Sequence, residues 1–218
     1  MIIDLFGANS KIIKELSLML DKSDKIKKVN KFDRNKLDFS NITQEQLKSA
    51  INLSSDYYII SVGVLYPKRI LEQSEEEINL SINVNLLSIV KICDYLLENN
   101  DKAKIIIVGS ESGKKGSYDT TYFLTKAALS AYVKERKITS ENQQIVIVSP
   151  SVIQDAKMTT SREDHDNINI NRDAHPKKRL LNSVEVANVI FFLIESGLDY
   201  ITNTEIEVNG GKFARMKY

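Results

Sequence analysis

Short runs of Ile, Val, Leu and Phe alternate along this chain with longer segments whose apolar residues recur at helical spacing. Residues 2–6 form a strand-length run closed by Gly7. Ile12, Ile13, Leu16, Met19 and Leu20 then share one helical face, with Asn9 or Ser10 as its N-cap. A weaker strand is predicted over 27–32 and a very short one near 37–39. Helical character at 44–51 precedes a strand at 57–63, and a long helix over 75–98 precedes the almost continuous apolar strand 104–110. A second long helix runs from about 118 to 137. The strand 144–150, a helix over 184–195 and a closing strand within NTEIEVNGG follow.

Strands of unbroken Ile and Val separated by helices predict a parallel sheet covered on both faces. Right-handed crossovers turn that order into an α/β fold. It is a doubly wound parallel sheet, a three-layer Rossmann-type sandwich of about seven strands in a single domain, with ligands at the C-terminal strand ends. Residues 155–181 are polar, lack a strong period and read as a substrate loop or lid.

The 218 residues suffice for one domain with a substantial core, and no linker, repeat or low-complexity tract divides them. Thirty basic and 29 acidic residues leave a net charge of +1, which argues against a dedicated nucleic-acid surface. The basic clusters at 25–28 and 177–179 have acidic neighbours and read as solvated faces. The single Cys93 lies in an apolar helical pattern and reads as a buried structural thiol. The start MIIDLF lacks a basic stretch followed by a long apolar one, and no apolar run approaches a bilayer-spanning length, so the expectation is a soluble cytoplasmic protein without a membrane partner. His165 and His175, with Asp164 and Asp166 nearby, show no metal-ligand spacing and read as surface histidines.

Chemistry concentrates in IVGSESGKKGSYDTTYFLTK. Tyr122 and Lys126 are four apart in a helical segment, so both can meet one ligand, and a neighbouring ammonium favours the phenolate. Among nine tyrosines in a lysine-rich chain, roughly one Tyr-x-x-x-Lys arises by chance, so a packed tyrosine beside a solvated lysine explains the pair equally well by itself. Ser110 follows an apolar strand, where a parallel sheet faces its crevice, and its hydroxyl can polarise a carbonyl; serine is also an ordinary turn residue there. Asn85 sits inside a predicted helix, where Asn is a poor helix former. It either takes a water into the helix and relays protons to Lys126, or is simply exposed.

Taken together and in order, these segments resemble the short-chain dehydrogenase/reductase family over nearly the full length. INVNLLS resembles the helix carrying the family's active-site Asn, here Asn85. IVGSESG and YFLTK resemble the serine strand and the Tyr-x-x-x-Lys helix, mapping the catalytic residues to Ser110, Tyr122 and Lys126. VSPSVI is similar to the Pro-Gly segment, and the C-terminal helix and VNGG strand also match, with Asn209 for the usual Asp and Asn203 for a usual Gly. The resemblance implies an NAD- or NADP-dependent oxidoreductase that interconverts a carbonyl and a secondary alcohol on a small molecule, as a homodimer or homotetramer built through the helices at 75–98 and 118–137.

The departures fall on the cofactor side. The family's Thr-Gly-x-x-x-Gly-x-Gly turn reads here from Phe6 to Ile13, keeping Gly7 and placing Lys11 where the second glycine belongs. The implied cofactor contacts are Gly7, Asn9, Ser10, Lys11 and Ile12; Asp38 and Phe39; Ser61, Val62 and Gly63; Tyr122 and Lys126; and Pro150, Ser151, Val152 and Ile153. Asp33 would favour the free 2′-hydroxyl of NAD and Arg34 the 2′-phosphate of NADP, which leaves the choice open. The lost glycines also admit a second reading, an SDR-like binding, regulatory or assembly protein. A narrower one is a reductase of nucleotide-linked or cell-surface sugars, by fold analogy alone.

Overall fold

The computed structural model describes residues 1–161 and 165–214. In chain order the elements are β1 (Ile2–Phe6), α1 (Lys11–Leu20), β2 (Lys28–Phe32), α2 (Gln44–Ala50), β3 (Tyr57–Ile60), α3 (Glu75–Ile82), α4 (Ser88–Asn99), β4 (Lys104–Val108), α5 (Ser112–Lys115) and α6 (Thr120–Glu135). They continue with β5 (Gln144–Pro150), α7 (Lys157–Thr160), α8 (His165–Ala174), α9 (Ser183–Ser196) and β6 (Thr204–Val208). The strands form one sheet in the order β2-β1-β3-β4-β5-β6, with every pair parallel.

Period-two alternation explains why the central strands β1, β3, β4 and β5 are largely apolar: each contributes to two cores. Phe32, Phe6, Ile60, Ile107 and Ile147 lie in register across one face, packed against Leu47 of α2, Ile89 and Ile92 of α4 and Leu129 of α6. Leu5, Ile59, Ile106 and Val146 form the matching row on the other face, beneath Ile13 and Leu16 of α1 and Ile190 of α9. Fully burying one such side chain stabilises the fold by about 1.5–3 kcal/mol, so these rows fix the register.

The described residues form six strands where about seven were expected, because residues 37–39 do not extend. Asp33 Oδ1 accepts the Asn35 and Lys36 backbone N–H groups at 3.0 and 3.2 Å, and Asp38 Oδ1 accepts that of Ser40 at 2.9 Å. These side-chain turns compete with a strand ladder, and Leu37 and Phe39 instead plug the core from a loop. β2 is therefore the sheet edge, where the Lys36 ammonium donates to the Lys31 carbonyl at 3.0 Å.

The long helix over 75–98 is continuous but not uniform: between α3 and α4, Asn83–Leu87 widens into a π turn. Within the continuous helix Glu75–Asn99, an 18-residue stretch is long and apolar enough by composition to cross a bilayer, with a mean hydropathy of 1.4, but 56% of it is buried inside the fold, as befits a core helix. Cys93 on α4 is fully buried, and burial pushes its thiol far above the ordinary range. The segment 155–181, expected as irregular, contains α7 and α8. α8 escaped notice because its sequence, HDNININRDA, is polar nearly all round. His175 is 6% exposed rather than superficial. It lies 3.0 Å through Nε2 from the Asn209 carbonyl and accepts the Lys177 N–H at Nδ1, tying this segment to the loop after β6. Asp164 and the His165 side chain lie outside the described residues.

One buried charge in the sheet gives a stability test. Asp4 on β1 is fully buried, its Oδ1 accepting Asn30 Nδ2 and Ser55 Oγ, both at 2.8 Å, and burial raises its pKa above the usual 3.8. A carboxyl whose pKa is higher in the folded state binds more protons there, so stability falls as pH rises through that interval. The difference in Tm between Asp4→Asn and wild type should therefore move in the variant's favour from about pH 4 to pH 7. A pH-independent difference would contradict this.

Candidate active site

The strand order reverses beside β1: the chain leaves β1 for β2 on one side and returns to β3 on the other. Loops at the C-terminal ends of β1 and β3 must part there, and a crevice follows. Gly7 makes that parting possible. Its φ is +82°, and a Cβ on it would lie 2.2 Å from the Ser61 carbonyl oxygen. The Gly7 and Ala8 N–H groups both donate to the Phe32 carbonyl, which binds the turn to the end of β2. Ser10 caps α1, its Oγ accepting the Ile13 N–H at 3.4 Å and sharing a 2.9 Å hydrogen bond with Ser61 Oγ. Lys11 extends along the helix to Glu15, 2.6 Å away, and remains substantially exposed. Ile13, in the place of the third family glycine, is buried in the core between α1 and the sheet.

The crevice has a volume of about 1,000 Å³. It is lined from α1 and its turn by Gly7, Asn9, Ser10, Lys11 and Ile12, and beyond β2 by Asp33, Arg34, Asp38 and Phe39. Ser61, Val62 and Gly63 line it after β3, and Pro150, Ser151, Val152 and Ile153 at β5. Ser110, Tyr122 and Lys126 form the opposite end. A smaller hollow of about 550 Å³ beside β2, lined by Lys28, Lys31 and Lys36, contains none of these residues.

At the catalytic end, α6 begins where the Asp119 carboxylate accepts the Tyr122 N–H at 2.8 Å. Tyr122 is 8% exposed and Lys126 3%. The Lys126 ammonium lies over the Tyr122 ring, 5.6 Å from its centroid, and reaches the Val108 carbonyl at 3.4 Å. Burial raises the Tyr122 pKa; a hydrogen bond with Ser110 opposes that shift and the Asp119 charge reinforces it. Burial pushes the Lys126 amine down to about 8. The expected lowering of the phenol by the ammonium is therefore not the dominant influence on Tyr122 in this form.

Asn85 lies in the π turn rather than in a regular helix. Its Oδ1 accepts the Val64 N–H at 2.7 Å, and its Nδ2 donates to the Val64 carbonyl and to Ser81 Oγ, each at 3.0 Å. A Cβ on Gly63 would meet Asn85 Oδ1 and the Met158 methyl at 3.2 Å and the Lys126 ammonium at 3.9 Å, so these groups converge around one glycine. The carboxamide thus grips the backbone that floors the crevice.

Sequence reasoning missed one buried network. Asp119 also accepts the Tyr66 N–H at 2.6 Å and Gln73 Nε2 at 2.8 Å, and Gln73 accepts the Thr121 hydroxyl. It joins the crevice wall at Val64–Pro67 to the helix that carries Tyr122. An Asp three residues before Tyr122 is a legible N-cap, but its distant partners are not.

A family model described as enoyl-(acyl carrier protein) reductase matches residues 33–212. The chain belongs to the short-chain dehydrogenase/reductase family. It is 30% identical over 165 residues to the 3-oxoacyl-(acyl-carrier-protein) reductase FabG of Chlamydia trachomatis, covering 72% of this chain and 64% of that protein. The FabG of Escherichia coli is 27% identical over 164 residues, covering 72% and 66%. The matches span just under two thirds of these curated relatives. Among solved structures, a short chain dehydrogenase family protein from Francisella tularensis superposes with a TM-score of 0.84 at 17% identity, over 98% of this chain and 99% of that one. A 4-hydroxyisoleucine dehydrogenase complexed with NADH gives 0.81 at 20%, over 99% of both. At these identities the structures speak for the fold alone.

In this SDR chain Lys126, buried with no carboxylate at its ammonium among the described residues, should cost stability. Its amine titrates at about 8 in the folded protein against 10.5 in an unfolded chain. The penalty is then complete below pH 8 and fades as pH rises to 10.5, since the unfolded state binds more protons across that window. Lys126→Met should stabilise the protein at neutral pH by on the order of 1–3 kcal/mol, with the gain shrinking in alkali. Denaturant titrations at neutral and alkaline pH check both; a destabilised variant at neutral pH would contradict the burial argument.

Proposed function

We propose that this chain is an NAD(P)-dependent oxidoreductase that interconverts a carbonyl and a secondary alcohol on a small molecule. The observation that carries the reading is the position of Ser110, Tyr122 and Lys126 at one end of a crevice whose other end opens at the β1–β3 parting, beside the N-terminus of α1. The cofactor implied is a nicotinamide dinucleotide, which supplies the hydride.

The residues present fit such a group. Gly7 lines the crevice, the first turn of α1 offers N–H groups and a favourable dipole to a pyrophosphate, and Lys11 is drawn toward Glu15 instead of filling that turn. The same arrangement weighs against a binding or assembly module, whose crevice would have no reason to stay open.

In the reducing direction the Ser110 hydroxyl hydrogen-bonds the substrate carbonyl oxygen and stabilises the charge that develops there. Tyr122 gives its phenolic proton to that oxygen as the alcohol forms, and burial keeps the phenol protonated beforehand. Lys126, when charged, stabilises the phenolate left behind and can donate to the ribose. Asn85 holds Val64, and through it the floor on which Gly63 and Lys126 meet. Related proteins named as 3-oxoacyl-(acyl-carrier-protein) reductases suggest 3-oxoacyl thioesters as the first substrates to assay.

The proposed homodimer or homotetramer would form through the continuous helix of α3, the π turn and α4, and through α6. Leu87, in the π turn preceding α4, and Leu124 of α6 are 40% and 50% exposed, as an apolar interface requires. Light scattering should then give a mass of two or four chains; a monomer at all concentrations would exclude this assembly. For the chemistry, oxidation of reduced nicotinamide by acetoacetyl thioester or simple ketones should slow about 100-fold or more in Tyr122→Phe, while dinucleotide binding persists. An undiminished rate in that variant would remove Tyr122 from the mechanism.

A further inference from the structure

We propose that Asp119 is a positioning residue for the proton donor, holding Tyr122 against the segment that follows β3, with Gln73 and Thr121 as its braces; this rests on the carbonyl–alcohol reading above. An N-cap ordinarily serves one helix end. Asp119 is 1% exposed and serves three segments. Its Oδ1 accepts the backbone N–H of Tyr122 itself and Gln73 Nε2, both at 2.8 Å, and its Oδ2 accepts the Tyr66 N–H at 2.6 Å. Tyr66 and Tyr122 both line the crevice, so one carboxylate sets the span between two parts of its wall.

The braces are buried as well. Gln73 is 8% exposed; its Oε1 accepts the Thr121 hydroxyl, and its Nε2 also reaches the Tyr66 and Lys68 carbonyls, each at 3.3 Å. Among the described residues every side-chain partner of Asp119 is a neutral donor, which makes this a costly way to cap a helix. The other side of α6 is equally confined. A Cβ on Gly113 of α5 would lie 2.9 Å from the Lys126 carbonyl, and the Ser112 N–H donates to Ser110 Oγ at 3.2 Å. Tyr122 is thus held from the β3 side by Asp119, while α5 fixes its helix from the serine side. A proton donor that must meet a substrate oxygen at hydrogen-bond distance loses rate steeply when its backbone shifts. Burial and then the Asp119 charge keep the phenol protonated, the form in which it donates.

Steady-state kinetics of the full chain, with reduced nicotinamide and acetoacetyl thioester or simple ketones, tests this. Asp119→Asn keeps an oxygen for the Tyr122 N–H but turns an amide N–H toward that of Tyr66. Its kcat should fall about 10- to 100-fold while nucleotide affinity stays within about twofold of wild type. Gln73→Met, which removes the brace and leaves Asp119 in place, should lower kcat in the same direction. In a Tyr122→Phe background either substitution should change the residual rate by less than about twofold, because both act through the phenol. Wild-type kcat in the folded variants would overturn the inference. So would a loss that multiplies with that of Tyr122→Phe, or an equal weakening of nucleotide binding, either of which marks general structural support. If Asp119→Asn fails to fold, Gln73→Met decides on the same terms. These results leave the carbonyl–alcohol reading intact, whereas an undiminished rate in Tyr122→Phe alone would overturn that mechanism and this inference with it.

Discussion

The contact between Gly7 and the Ser61 carbonyl governs the functional end of this molecule. A side chain at position 7 would drive an atom to 2.2 Å from that oxygen, so β1 can turn into α1 this close to β3 only through glycine. The turn's N–H groups are tied to Phe32, α1 is aimed with its free amides toward the crevice, and Ser10 and Ser61 meet across it. Of the three glycines that the family places here, this is the one whose Cβ has nowhere to go. The other two positions are occupied by Lys11, which faces outward to Glu15, and Ile13, which packs into the core. Loss of those glycines leaves the crevice beside this turn open.

A second constraint sits on the other wall. The π turn at Asn83–Leu87 brings the Asn85 carboxamide onto both backbone polar groups of Val64, and Asp119 ties Tyr66 and Gln73 to the first turn of α6. The segment between β3 and α3 has little secondary structure of its own, so these clamps position it. They also place Tyr122 and Lys126 in a buried setting that favours the neutral form of each. That setting suits a proton donor and accounts for keeping a costly lysine out of water.

Much of the fold was legible because burial on both faces makes parallel strands unbroken runs of Ile and Val, as in KIIIV and QIVIV. The segment around Leu37 and Phe39 misled because two buried apolar residues at alternate positions mimic a strand, while Asp33 and Asp38 turn the backbone away from one. α8 went unseen for the opposite reason: a helix without an apolar stripe carries no period. At the site, Ser110, Tyr122 and Lys126 could be located by their order along the chain. The π turn and the Asp119 network depend on partners dozens of residues away, which no local pattern encodes.

The central claim is that a crevice with one remaining turn glycine still holds a nicotinamide dinucleotide beside the tyrosine and lysine. Fluorescence of the reduced nicotinamide, followed as wild-type protein is added, addresses it most directly. The account predicts an enhanced, blue-shifted emission that saturates at one nucleotide per chain. An emission unchanged at millimolar nucleotide, with the protein folded, would contradict it.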